Sequence, residues 1–569
     1  MFEILISFIF ITFLIIITGI ISSRFLLKNT AINLEIYEIG LIGIITLTFT
    51  TFLIHFFLPL SKINNSLIFF AILIIFFFTD EKKKINFKKF DSIILSVSIL
   101  IVLIMTIGYK PNEDYGYYHL PYIINMISDK IIFGLSNIQV NFAWNSSWLN
   151  FSSVLNLPLL DIKGTQLSNS TLYFFVLCLF LKESKQIIFK TNISNLFILT
   201  SSLYFIIKFS RISEHGFDFP ANIFLVLSFF YFLKIFEEDN VELIKKYFVL
   251  VLLFSTYCLT IKLSTFMSPL LVLSSFFLIY RKKINIQFII RPLIFSSTLI
   301  LFWLVQQFIY SGCFIPFFDF TCFKSVLWHN TGITEAVNSA TGAVNKSFSN
   351  YSGNLSPEEY VKNFNWVQTW FERNKPQFLD HFVAYWIPIL ILFFINFKNF
   401  FNKRAFLNQT NKKKSIKEFN ILSISILLFV LIGLFLWFNR SPVIRFGIPY
   451  LLVLNFLILY FILKKLNNNF IFNKGVLVIF VLALVFNITK NLNRIINYES
   501  KSYWPEILVF NYSQKIKGNF KVNYPDSNDK YHKKKYCWSI PYICHMGKGN
   551  GLNFEKKLSY MIISREEKK

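Results

Sequence analysis

Long apolar runs alternate with short polar breaks along nearly the whole chain. The runs fall near 3–22, 39–59, 65–79, 92–108, 166–181, 195–208, 219–236, 247–261, 264–280, 292–310, 383–398, 419–437, 447–463 and 475–488. Most have the length a helix needs to cross a bilayer, so the pattern predicts an all-α polytopic membrane protein with about 14 transmembrane helices. The pair within 247–280 leaves little room for two full spans and a loop, and predicts two short or re-entrant helices. The first run is long enough to span and has no basic stretch before it, so it reads as a helix that stays, not as a cleavable signal.

The polar breaks carry sidedness. Basic stretches at Asp80–Lys89, Arg281–Arg291, Lys398–Lys417 and Lys464–Lys474 are separated by even numbers of predicted spans. Positive-inside topology therefore places all four in the cytoplasm and the N-terminus outside. A transmembrane module then covers 1–488, with external segments 109–165, 209–218, 311–382 and 438–446, a tight external turn at Lys262, and an extracytoplasmic tail over 489–569. Segments 109–165 and 311–382 are too long and polar to be mere connectors, and loops of that length usually carry function.

Composition agrees with this reading. A chain of 569 residues that is 54% hydrophobic, with 72 Phe and a mean hydropathy of +0.53, cannot hide its apolar surface in one water-soluble core. The net charge of +26 sits mainly in the short clusters between apolar runs. It therefore reports topology and gives no reason to expect a nucleic-acid partner.

Candidate chemistry gathers on the predicted outer face. Residues 109–122 read Tyr-Lys-Pro-Asn-Glu-Asp-Tyr-Gly-Tyr-Tyr-His-Leu-Pro-Tyr, which sets Glu113, Asp114 and His119 just past a span. A carboxylate there stays ionised and can take a proton from a substrate hydroxyl, although the same acids also suit a helix cap. Tyr115, Tyr117, Tyr118 and Tyr122 suit an interfacial aromatic belt or the lining of a sugar site. The link that contains Arg211, His215 and Asp218 adds a base, an imidazole and a second acid, with Asp218 again a cap candidate before Pro220. Lys262, Arg440 and Arg445 are cations where the topology disfavours them. Arginine forks suit phosphate oxygens, and they equally suit lipid head groups.

Of six cysteines, Cys178 and Cys258 fall in spans and four fall outside. The short spacings Cys313 to Cys322 and Cys537 to Cys544 read as disulfides of an oxidising compartment. Neither pair forms CxxC, and His329 and His545 stand alone, so no zinc site is expected. Phosphate-binding loops, nucleophile elbows, zincin motifs and dinucleotide fingerprints are absent from the sequence.

The run Asp114-Tyr-Gly-Tyr-Tyr-His-Leu-Pro121 in the first large external loop, followed by His215-Gly-Phe-Asp218 before a later span, resembles the GT-C superfamily of polytopic glycosyltransferases. That superfamily includes protein O-mannosyltransferases and aminoarabinose transferases. Ser311-Gly312-Cys313 with Pro316, Trp437 through Gly447, and the Cys-Trp pair near the C-terminus look like a bacterial branch of it. The resemblance implies a polyprenyl-phosphate sugar donor, a glycan, lipid or protein acceptor, and transfer on the non-cytoplasmic face of a bacterial inner membrane. Asp114 matches the family's catalytic acidic position, while the adjacent Glu113 leaves open which carboxylate is the base.

One base without a second carboxylate nucleophile implies inversion. His119, Arg211, His215, Asp218, Lys262, Arg440 and Arg445 become candidates for holding substrate and phosphate. Glu113, Asp114 and Asp218 could hold a divalent ion as in some relatives, but adjacent helical residues diverge, so neither metal nor cofactor is expected. The competing readings are a transporter or flippase for a lipid-linked glycan, which would carry charges at mid-span, and a glycan polymerase or ligase.

Overall fold

The computed structural model of the chain describes residues 2–27, 34–78, 89–108, 112–187, 192–208, 212–395, 416–465, 475–497, 504–529, 533–547 and 551–565. Among them, eleven helices are long and apolar enough to cross a membrane, from Phe2–Leu27 to Gly475–Asn497. The chain is a multi-pass integral membrane protein. Lys62–Phe78, Ser92–Ile107 and Ile193–Lys208 are apolar helices of shorter length and coincide with the remaining expected spans. The large apolar side chains that stay exposed, such as Phe13, Phe70, Leu301, Phe435 and Val481, lie along these helices. A lipid environment accounts for that exposure.

Helices Phe2–Leu27 and Ile36–His55 pack backbone against backbone. A Cβ added to Gly43 would lie 2.1 Å from the Ile15 carbonyl oxygen, so only glycine admits the approach. Helices Asp218–Glu237 and Val241–Ile261 share the most extensive contact in the bundle. Asn240 caps the second of them by accepting from the backbone N–H groups of Glu242 and Leu243.

Two expectations are corrected. The segment 247–280 does not contain short or re-entrant helices: Val241–Ile261 and Leu263–Arg281 are both of spanning length, joined at Lys262. The first starts six residues earlier than its apolar run because Lys246, only 5% exposed, is neutralised by Glu38 at 2.6 Å. The tail is not helical beyond Asn497, so the fold is not wholly α. Strands β1 (Tyr512–Lys517) and β2 (Phe520–Pro525) form one antiparallel hairpin, and β3 (Leu552–Lys557) and β4 (Tyr560–Arg565) form another. Within the long segment 311–382, residues 367–382 form the first half of helix Val367–Ile395.

The bundle has two ionic ends. At one, Glu38 meets Lys246, Glu183 meets Lys234 at 3.0 Å, and Glu35 meets Lys182. The basic stretch Arg281–Arg291 belongs to this end, roughly 28 Å along its helix from Lys262. Stretches 80–88, 398–415 and 466–474 lie outside the described residues. The opposite end carries the polar loops, the tail and Asp114.

The Glu38–Lys246 pair is buried on both sides, with Tyr231 donating to Glu38 at 3.0 Å. Removing one partner strands the other charge, so Glu38→Gln or Lys246→Met alone should cost about 3–5 kcal/mol. The double substitution should recover most of that loss. Thermal unfolding of the detergent-purified variants reads this, and additive losses in the double variant would mean that the two side chains are not coupled.

Candidate active site

Four segments distant in sequence meet at the loop-bearing end. In the first, Tyr115–His119 forms a wide π-helical turn, with the Leu120 N–H donating to the Tyr115 carbonyl. Such turns accommodate an extra residue and recur at functional sites. Pro121 then starts helix Leu120–Ser128. Asp114 stands at the mouth of the wide turn, with Tyr118 and His119 one turn further on.

The second segment is the link 212–217, which ends at Asp218, the first residue of helix Asp218–Glu237. Asn169 holds the link by donating to the carbonyls of Glu214 and Gly216, and Ser170 donates to the Ile212 carbonyl at 3.1 Å. Lys262 is the third, extended between two helices. The fourth is Arg445, second residue of helix Ile444–Lys465, whose carbonyl accepts from Asn222 Nδ2 at 2.8 Å.

Asp218 joins these segments. One carboxylate oxygen accepts from Lys262 Nζ, and the other lies 2.8 Å from Arg445 Nε. Arg445 Nη2 also approaches Asp114 Oδ2, at a looser 3.8 Å. Lys262 is flanked by rings, its ammonium 3.5 Å from the Phe446 centroid and 5.3 Å from that of Phe217. His119 is buried edge-on between Tyr118 and Phe217, with ring centroids at 4.3 and 5.2 Å. His215 pairs through Nε2 with Thr165 Oγ1 at 2.8 Å and stacks on Tyr115 at 5.3 Å.

The electrostatics follow from burial and from this pairing. Burial pushes the Asp114 carboxyl above its ordinary range, Arg445 opposes that rise, and Asp218 adds to it. Burial lowers the Lys262 ammonium, and the Asp218 carboxylate works against the drop. Both imidazoles are lowered to about 3 chiefly by burial, so His119 and His215 are neutral at pH 7. Asp218 has two cations on it, whereas Asp114 has one distant guanidinium. Asp114 is therefore the carboxylate of the pair with room for a further hydrogen-bond partner.

Not every expected residue joins this cluster. Glu113 points to the tail, where it accepts from Lys534 Nζ at 3.0 Å and from the Tyr536 hydroxyl. Arg440 lies at the other end of the 441–443 link, with its guanidinium 5.8 Å from the Phe318 ring. Arg211 lies outside the described residues. Cys313 is bonded to Cys322 and Cys537 to Cys544. Among the described residues no group of three His, Cys, Asp or Glu is placed to hold a metal ion.

Sequence reasoning passed over Phe217 and Phe446, whose only signal was adjacency to Asp218 and Arg445. It gave no role to the tail residues Lys534 and Tyr536, and took Trp538 only as part of the Cys-Trp pair near the C-terminus. The tail covers the wide turn. Trp538 N–H donates to the Gly116 carbonyl at 3.0 Å, its indole N–H donates to Asp529, and its ring meets Tyr115 edge-on at 5.3 Å.

Fold and site together define a multi-pass membrane protein with an ionic, partly open site at one end of its helix bundle. The chain belongs to the family described as a domain of unknown function, DUF8201, which matches residues 1–452. No curated protein and no solved structure matches it. All four ionic residues of the cluster lie within the matched region, and the hairpin tail lies beyond it.

Gly116 is the contact on which the cover depends, because a Cβ there would come 2.0 Å from Trp538 Cε2. Gly116→Ala should lift the tail off the wide turn while leaving the helix bundle folded. Limited proteolysis should then release the 504–569 region faster than from the unaltered chain, and an unchanged cleavage rate would show that the contact carries little of the docking.

Proposed function

We propose that this protein is an integral membrane glycosyltransferase of the GT-C type, moving a sugar from a polyprenyl-phosphate donor to a hydroxyl acceptor on the non-cytoplasmic face. The carrying observation is Asp114, a partly buried carboxylate with one loose cation near it, set beside a tight Asp218–Lys262–Arg445 cluster. Asp114 takes the acceptor's hydroxyl proton as the oxygen attacks the anomeric carbon. The bond from that carbon to the phosphate oxygen breaks, and the electron pair leaves with the lipid phosphate. A single displacement of this kind inverts the anomeric centre.

The Arg445 side chain keeps 47% of its surface open while its Nε is fixed on Asp218. Its remaining N–H groups thus face the crevice in a set orientation, suited to the charge that develops on the departing phosphate. Lys262 adds a second positive charge behind the same carboxylate. Tyr118, Phe217 and Phe446 supply ring surfaces of the kind that pack against sugars. A transporter would carry charges at mid-span, whereas the pairs Glu183–Lys234, Glu38–Lys246 and Asp218–Arg445 lie near the ends of their helices. A bacterial inner membrane is the setting this reading implies.

Reconstituted protein with a panel of polyprenyl-phosphate sugars and a cell-envelope extract as acceptor should release polyprenyl phosphate. Asp114→Asn keeps the shape and removes the base, so release should fall about 10²-fold or more, with little change for Glu113→Gln. Release by Asp114→Asn at the unaltered rate would overturn the assignment.

The pH profile gives a signed test. Transfer needs ionised Asp114, so the rate should drop with acidification through a pKa above the roughly 3.9 of a free aspartate. Arg445→Gln removes a charge that lowers this pKa and should move the acid limb to higher pH. Asp218→Asn removes one that raises it and should move the limb to lower pH. Shifts in the same direction for both variants would mean that a different group titrates.

A further inference from the structure

Charge balances at the Asp114 cluster, where two carboxylates face two cations. Elsewhere among the loops of this end, two neighbouring cations meet no carboxylate among the described residues. Lys346 is only 5% exposed and holds its ammonium 4.8 Å over the Trp366 ring. Arg440 ends helix Ile416–Arg440 and packs its guanidinium on Phe318. Among the described residues neither side chain meets a carboxylate. Burial lowers the Lys346 ammonium pKa, and the Arg440 charge lowers it further.

The loops that carry them are tied to each other. Asn345 Nδ2 donates to Ser441 Oγ at 2.8 Å, which links the neighbours of the two cations directly. The Tyr360 hydroxyl donates to the Lys346 carbonyl at 2.8 Å, and Trp370 Nε1 donates to the Pro442 carbonyl at 2.8 Å. Ser347 is held at φ +68°, a conformation that non-glycine residues keep only where their surroundings impose it. The network thus holds together two loops that each carry a positive charge.

We propose that Lys346 and Arg440 form a second anion site, distinct from the Asp114 cluster, that binds a phosphate group. The ammonium supplies a point charge and the guanidinium a planar fork, a combination suited to tetrahedral oxyanions. Arg440 closes a helix of membrane-spanning length, which sets the site at the level of lipid head groups. The phosphate can belong to such a head group or to a soluble phosphorylated molecule. The proposal does not depend on the transferase reading.

The test uses the full chain in nanodiscs and two probes. Radiolabelled inorganic phosphate is measured by equilibrium dialysis on phosphatidylcholine discs, and retained phosphatidylglycerol is counted by native mass spectrometry after detergent extraction from mixed discs. Lys346→Gln and Arg440→Gln should each weaken the bound probe about tenfold, while Lys346→Arg retains most of it. Lys324→Gln, which removes an exposed cation elsewhere in the same segment, should change neither probe. Loss confined to inorganic phosphate assigns a soluble ligand, and loss confined to phosphatidylglycerol assigns a lipid one. The proposal is overturned if the Lys346→Gln/Arg440→Gln double variant binds both probes as well as the unaltered chain, or if the unaltered chain binds neither.

Discussion

The grip of Asp218 on two cations is the interaction on which the site depends. Lys262 and Arg445 come from different parts of the chain, and without a carboxylate between them they would repel in a half-buried crevice where charge is poorly screened. Asp218 converts that repulsion into attraction and, through helix Asp218–Glu237, fixes both cations to the bundle. The same grip leaves Asp114 facing only the outer edge of Arg445. One aspartate is occupied so that the other is available, and the two environments, not the residue types, separate their roles.

Much of the bundle was legible from hydropathy because every apolar run falls on a helix. The failures have a common cause. Helix Val241–Ile261 starts among Lys245 and Lys246, which look like loop residues until Glu38, some 200 positions earlier, is seen to neutralise one of them. A sequence window cannot see such a partner. In the tail, the first hairpin does have a readable signal, the two-residue Gly518-Asn519 loop between β1 and β2. The second does not, since its loop is Leu558-Ser559, with both residues at positive φ although neither is glycine.

The site was legible in kind but not in allocation. Acids and bases on the expected outer face marked the region, and Asp114, His119, His215, Asp218, Lys262 and Arg445 are brought together at one end of the bundle. Sequence could not divide Glu113 from Asp114, or Arg440 from Arg445. The first division is made by the tail, whose Lys534 and Tyr536 draw Glu113 away. The second follows from the extended 441–443 link, which carries Arg440 toward Lys346 and Arg445 toward Asp218. Both divisions rest on long-range contacts that leave no local pattern.

The two ends of the bundle use the same chemistry to different effect, and water access decides which. At the far end the side chains of Lys246 and Glu38 are 6% and 3% exposed, and at the near end those of Arg445 and Asp218 are 47% and 27% exposed. A dry pair has its protons and hydrogen bonds committed to the fold, and a substrate cannot reach it. A half-open pair keeps its geometry through neighbours such as Asn222 and Lys262 yet offers N–H groups and lone pairs to whatever enters. Acid–base or anion chemistry therefore belongs at the Asp114 end, and the ionic groups of the other end are better understood as the means by which polar helix termini are held inside an otherwise apolar bundle.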